Sequence, residues 1–281
     1  MSLTSVRDLA ARLADPTVRI VDARWYLGRP GDGRAAYDAG HLPGAVHVDM
    51  DTDLAAPSGP GRHPLPEPAV LAGRLGALGI GSDHVVVVYD DVGGWVAARL
   101  WWMLDDLGHG AISVLDGGFP AWLDAGLPTT VAVPSWPAAS LTFADHWTNV
   151  IDRDRLRERL GEVVLLDARG APRYRGEVEP IDPIAGHIPT AINAPIDGNL
   201  GPDGSFLPAE ALRIRYEGLG AAGSAAVVAS CGSGVSACHD VLAMRLAGLP
   251  SPVLYPGSWS DWSTAGYPVA TGPEPGVAPG R

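Results

Sequence analysis

The chain carries one pattern twice, in the same order, and this limits what it can fold into. Val21-Asp22-Ala23-Arg24 recurs as Leu166-Asp167-Ala168-Arg169, and Ala39-Gly40-His41-Leu42-Pro43 as Ala185-Gly186-His187-Ile188-Pro189. Val86-Val87-Val88-Tyr89-Asp90 returns as Val227-Val228-Ala229-Ser230-Cys231, and Gly117-Gly118-Phe119-Pro120-Ala121-Trp122 as Gly257-Ser258-Trp259-Ser260-Asp261-Trp262. Ala125-Gly126-Leu127-Pro128 returns as Ala265-Gly266-Tyr267-Pro268. The separation stays at about 140 residues, so each copy is one domain. A length of 281 residues accommodates two domains of ordinary size. The boundaries expected are 4–128 and 150–271, joined by a Pro-, Ala-, Ser- and Thr-rich linker, 129–149, without a counterpart inside a copy. The tail after Thr271 is too rich in Pro and Gly for regular structure and is expected to be mobile.

Within a copy, strand-like and helix-like runs alternate. Arg19–Asp22 reads as a strand. Val85–Tyr89 is a continuous apolar run, as a strand buried on both faces requires. Val96–Leu107 carries Leu100, Met103, Leu104 and Leu107 at helical spacing, and Ile112–Leu115 is a further strand. The alternation predicts an α/β fold in each domain, a mostly parallel sheet flanked by helices. Ser5 with Asp8 resembles a capping box ahead of a first helix bearing Val6, Leu9, Ala10 and Leu13 on one face.

In such folds ligands bind outside the carboxyl ends of the strands. Asp90 stands at that place in copy one and Cys231 in copy two. Cys231-Gly232-Ser233-Gly234-Val235-Ser236-Ala237 lies between an apolar strand and a helix, Ala237–Leu246. Backbone N–H groups converge at such a junction and the helix dipole adds partial positive charge, so a thiolate is favoured there. Gly232 and Gly234 let the loop curl into an anion-binding nest. A carboxylate is not a sulfur nucleophile, so the second copy is expected to carry the chemistry. Cys238, inside the helix, reads as apolar filler.

The formal net charge of −12 argues against nucleic acid or an anionic membrane surface as partner. An anionic substrate then needs a local positive pocket. No apolar run reaches a membrane-spanning length, and the first residues lack a secretory core, so a cytoplasmic location is expected. No cofactor is indicated. The His residues are scattered without metal-ligand spacing, and Gly232-Ser233-Gly234 alone is no nucleotide motif. A cysteine phosphatase uses a similar loop but needs an arginine six residues after the cysteine, where this chain has Ala237. A non-catalytic binding or sulfur-relay module is the other alternative.

Together these motifs resemble the rhodanese superfamily, in particular its tandem two-domain sulfurtransferases, over about residues 4 to 270. The resemblance implies an inactive first domain and a catalytic second one. In it, Cys231 takes a sulfane sulfur from a small anionic donor and passes it to a thiol, thioredoxin among them, or to cyanide. It implies that the amides of Gly232, Ser233, Gly234, Val235, Ser236 and Ala237 surround the persulfide. It also implies a proton relay of Ser233 with His41 and Asp32 from the first domain. His41 has a competing reading as a turn-stabilising residue, because its motif recurs at His187. The loop looks like the 3-mercaptopyruvate type, whereas thiosulfate-preferring members carry Arg-Lys where Gly232-Ser233 stands. Mercaptopyruvate enzymes commonly use two arginines. The first maps onto Arg173. The stretch for the second, Glu179-Pro180-Ile181-Asp182-Pro183, has no arginine, so both donors stay open. Arg24 and Arg169 recur in both copies and read as structural ion pairs.

Overall fold

A computed structural model describes residues 2–279. The chain divides into two units. The first comprises residues up to Ala56, Leu65–Thr148 and Gly201–Phe206; the second comprises Pro57–Pro64, Asn149–Leu200 and Leu207 onward. Two short segments thus cluster with the other repeat, which simple boundaries at 128 and 150 do not contain.

In the first unit, β1 (Leu3–Thr4), β2 (Val18–Asp22), β3 (Ala45–His47), β4 (Val85–Tyr89) and β5 (Ile112–Leu115) form a sheet in the order β1-β5-β4-β2-β3. In the second, β6 (Val164–Asp167), β7 (Ala191–Asn193), β8 (Val227–Ser230) and β9 (Val253–Leu254) form a sheet in the order β7-β6-β8-β9. All of these pairs are parallel, as alternating strand and helix runs dictate. Asp22 lies beside Tyr89 and Asp167 beside Ser230, so the duplicated Asp-Ala-Arg motifs and the loops after β4 and β8 share one sheet end. The expected strands and helices form at the expected places, with helices at Ala97–Asp106 and Ala237–Leu246. The first helix, Val6–Ala10, is capped by Ser5, whose Oγ accepts from Asp8 N at 3.1 Å.

The cores repeat with the sheets. Leu9, Ile20, Leu42, Val87 and Trp122 fill the first, and Leu156, Leu165, Ile188, Val228 and Trp262 the second. Each such buried side chain contributes roughly 1.5–3 kcal/mol. Trp122 Nε1 donates to Pro128 O and Trp262 Nε1 to Pro268 O, both at 2.9 Å. Trp25 and Trp101 are buried, and Trp102, also buried, stacks on Trp147.

The polar corners are duplicated too. Arg24 donates to Asp22 and to Gly40 O; Arg169 donates to Asp167 and to Gly186 O. The linker is no free tether: Thr130 pairs with His41 and Arg19 lies over Trp136. Its beginning has a counterpart after all, because Ala270 pairs with His187 in the same antiparallel way. The tail is irregular, as its composition dictates, yet it is held: Thr190 N donates to Pro275 O and Gly272 N to Arg175 O.

Candidate active site

β8 delivers Cys231 to the start of the loop, and the helix Ala237–Leu246 begins at its end. Gly234 has φ +75°, and a Cβ there would lie 2.4 Å from Pro256 O, so only glycine fits this turn. Ser258 fixes the other side of Cys231. Its Oγ accepts from Cys231 N at 3.0 Å and donates to Tyr255 O at 2.9 Å, with the Ser258 backbone itself at φ +52°. Trp259 is buried and donates from Nε1 to Ile184 O.

The N–H groups of Gly232, Ser233, Val235, Ser236 and Ala237 have no acceptor among the described residues. The corresponding turn in the first unit shows what such amides hold. Asp90 Oδ1 accepts from Val92 N at 2.9 Å and Gly94 N at 2.8 Å, and Oδ2 from Val96 N and Ala97 N, both at 2.9 Å. Burial pushes the Asp90 carboxyl up, and the four amides oppose that push. The first unit therefore fills its nest with its own carboxyl group, and in the second these amides face no such side chain.

The cysteine is more enclosed than a reactive surface thiol. Cys231 is 2% exposed, because the loop curls around it. Beside it, Gly232 faces two guanidinium groups. A Cβ on Gly232 would stand 2.9 Å from Arg62 Nη2 and 3.5 Å from Arg173 Nη1. Arg62 occupies the space into which a side chain at position 232 would project. The second cation at the loop thus comes from the Pro57–Pro64 segment and not from residues 179–183. Gly61, at φ +78°, lets that segment close onto Gly257, and Arg62 N donates to Ser260 Oγ at 3.1 Å.

Both guanidiniums carry carboxylate partners. Arg62 Nη1 is paired with Asp182 Oδ1, and Arg173 Nη2 lies 3.3 Å from Asp182 Oδ2 and 2.6 Å from Glu179 Oε1. Burial pushes the Glu179 carboxyl up, but hydrogen bonds from Arg173 and from Asp182 N and Ile181 N outweigh it and hold it below its ordinary value. Glu179 also reaches Arg169 at 3.5 Å.

Ser233 has a histidine partner, but not the expected one. His63 Nδ1 lies 2.7 Å from Ser233 Oγ, with both side chains buried. His41 is occupied otherwise: Nδ1 faces Tyr37 O at 2.8 Å, Nε2 faces Ala132 O at 3.2 Å, and the ring stacks on Tyr37. His187 repeats this with Tyr174 O, Glu274 O and the Tyr174 ring. The turn-stabilising reading of His41 therefore prevails, since a duplicated role needs duplicated partners. Asp32 sits at an exposed helix start, paired with Arg29, and makes no hydrogen bond with His41 among the described residues.

The chain is similar to known proteins along both of its repeats. The rhodanese-like domain family matches residues 5–125 and 152–265. A Pseudomonas aeruginosa protein named "Probable 3-mercaptopyruvate sulfurtransferase" is 47% identical over 278 residues, covering 96% of this chain and 98% of that protein. The rat thiosulfate sulfurtransferase is 35% identical, with 88% of this chain and 85% of that protein covered. The crystal structure of SseA from Escherichia coli, described among 3-mercaptopyruvate sulfotransferases, superposes with a TM-score of 0.83 at 30% identity, covering 92% of this chain and all of that one. A strand–loop–helix nest with cysteine in one repeat and carboxylate in the other, matched along both repeats, defines the class: the chain belongs to the rhodanese-like domain family. It is an enzyme of the sulfurtransferase type. Among the described residues no helix is long and apolar enough to cross a membrane.

Proposed function

We propose that Cys231 takes a sulfane sulfur from a small anionic donor, 3-mercaptopyruvate in preference to thiosulfate, and passes it on from a persulfide to a thiol or to cyanide. The observation that carries this reading is the contrast between the two nests: Asp90 accepts four amides, whereas the amides of Gly232, Ser233, Val235, Ser236 and Ala237 have no acceptor among the described residues. Charge-assisted bonds of that kind are each worth about 1.5–3 kcal/mol, enough to hold a thiolate or persulfide anion without a metal.

In the first half-reaction the Cys231 thiolate attacks the donor sulfur and an S–S bond forms. With mercaptopyruvate the C–S bond breaks, and its electron pair goes to carbon. The proton of the donor thiol ends on that carbon, so pyruvate leaves and Cys231 carries an anionic persulfide. The hydrogen bond between Ser233 and His63 supports their passing that proton. With thiosulfate the donor's own S–S bond breaks, sulfite leaves and no proton moves. In the second half-reaction the acceptor attacks the outer sulfur and Cys231 departs as thiolate. Arg62 and Arg173 hold the donor's anionic group beside Gly232. Two features favour mercaptopyruvate: the side chains at 232 and 233 are neutral, and carboxylates already offset both arginines. Cys231 and Cys238 form no disulfide, which suits the reducing cytoplasm, where thioredoxin-like thiols are the acceptors at hand.

Initial rates with varied donor and acceptor test this reading. A persulfide intermediate requires ping-pong kinetics, with parallel double-reciprocal lines. His63→Gln is expected to slow transfer from mercaptopyruvate about a hundredfold. It should slow transfer from thiosulfate far less, since only the first donor has a proton to deliver. Intersecting lines would exclude the persulfide route, and equal loss with both donors would remove His63 from the relay.

A further inference from the structure

The carboxylate of Asp182 bridges the two guanidiniums at the loop, Oδ1 on Arg62 and Oδ2 toward Arg173 at 3.3 Å. A donor carboxylate held between the same two cations would make this same pattern of contacts. Asp182 is itself nearly enclosed, 4% exposed, whereas the Arg62 and Arg173 side chains are 25% and 19% exposed. It is fixed from behind by its own backbone, since Asp182 N donates to Glu179 Oε1 at 3.1 Å. The arginines are not saturated by it: Arg62 Nε is buried with no partner among the described residues. A buried donor without an acceptor is a standing preference for an incoming anion.

We propose that Asp182 is a specificity-determining residue, an internal anion that competes with the donor for Arg62 and Arg173 and thereby selects against doubly charged donors. The proposal rests on the reading of Cys231 as the sulfur carrier. Arg62, Arg173, Asp182 and Glu179 sum to zero charge. An incoming group must displace or share a carboxylate, and each extra negative charge on the donor meets the repulsion of Asp182 once more. Mercaptopyruvate brings one carboxylate; thiosulfate brings two charges on a smaller body. Asp182 therefore penalises thiosulfate more. Arg62 has the opposite effect, because it lies where a cation extending from position 232 would lie.

The test is the ratio of kcat/KM for thiosulfate to kcat/KM for mercaptopyruvate, with one acceptor. A ratio is unaffected by the fraction of a variant that is folded. Asp182→Asn is expected to raise it about tenfold, and Arg62→Gln to lower it about tenfold, each matching roughly one unit of charge in a partly screened site. Shifts of opposite sign support the inference. A pair that merely props the loop would change both activities together, so shifts of the same sign, unchanged ratios, or loss of both activities in both variants would overturn it. Intact mass of the wild-type protein after each donor separates the two layers. Sulfur on Cys231 with unmoved ratios sinks the role of Asp182 alone. No sulfur on Cys231 from either donor sinks the carrier reading, and the role of Asp182 falls with it.

Discussion

Cys231→Ser is expected to lower sulfur transfer by at least about a thousandfold with either donor while leaving the fold in place. The replacement keeps the shape of the side chain and removes the one atom that can both attack sulfur and leave again as a stable anion at neutral pH. A serine hydroxyl is a far weaker acid than a thiol, so it does not supply an anion to the amides of Gly232 to Ala237. Stability is expected to change by no more than about 1 kcal/mol, since Cys231 is held through its backbone by Ser258 and its sulfur makes no hydrogen bond among the described residues. Turnover by the serine variant above a few per cent of wild type, with the circular dichroism and melting of wild type, would place the chemistry elsewhere.

Gly234→Ala is expected to damage the site through the backbone. The residue sits at φ +75°, where an L side chain is strained by roughly 1–2 kcal/mol. Its Cβ would also stand 2.4 Å from Pro256 O and 2.9 Å from Pro256 Cα, contacts with main chain that cannot swing aside. The sum is on the order of 3 kcal/mol or more. At roughly 2–4 °C per kcal/mol, the transition of the second unit should fall by on the order of 10 °C. Sulfur transfer should fall with it even below that temperature, because the amide nest opens. A variant with wild-type melting and wild-type rate would mean that the turn tolerates a side chain and that its shape does not govern the chemistry.

Much of the fold was legible because it is written twice. Val85–Tyr89, Ile112–Leu115 and the loop at Cys231 each carry a local signature, and the second copy confirms the first. The charge chemistry around the loop was less so. Arg62 and His63 lie in copy one by sequence, in a Pro- and Gly-rich stretch without periodicity, yet they cluster with the second unit. Nothing local announces such a long-range placement. The signal that was present is asymmetry between the copies. Arg24 and Arg169, or His41 and His187, match across the repeats and proved structural. Residues with no match are where the site lies, and Arg62 and His63 have none. The resemblance implied a role for His41 in the relay, but a motif kept in both copies serves what both copies share. Thiolate attack on a donor calls for an accessible cysteine, and the 2% exposure of Cys231 departs from that expectation.

The proposed chemistry requires main-chain amides of the loop after Ser230 to hold an anionic persulfide sulfur on Cys231. Mass analysis of the Cys231 peptide after treatment with donor and no acceptor tests it most directly. The expected result is a gain of about 32 Da, one sulfur atom, on Cys231 and not on Cys238, discharged when cyanide is added. An unmodified Cys231 under conditions that sustain turnover would contradict it.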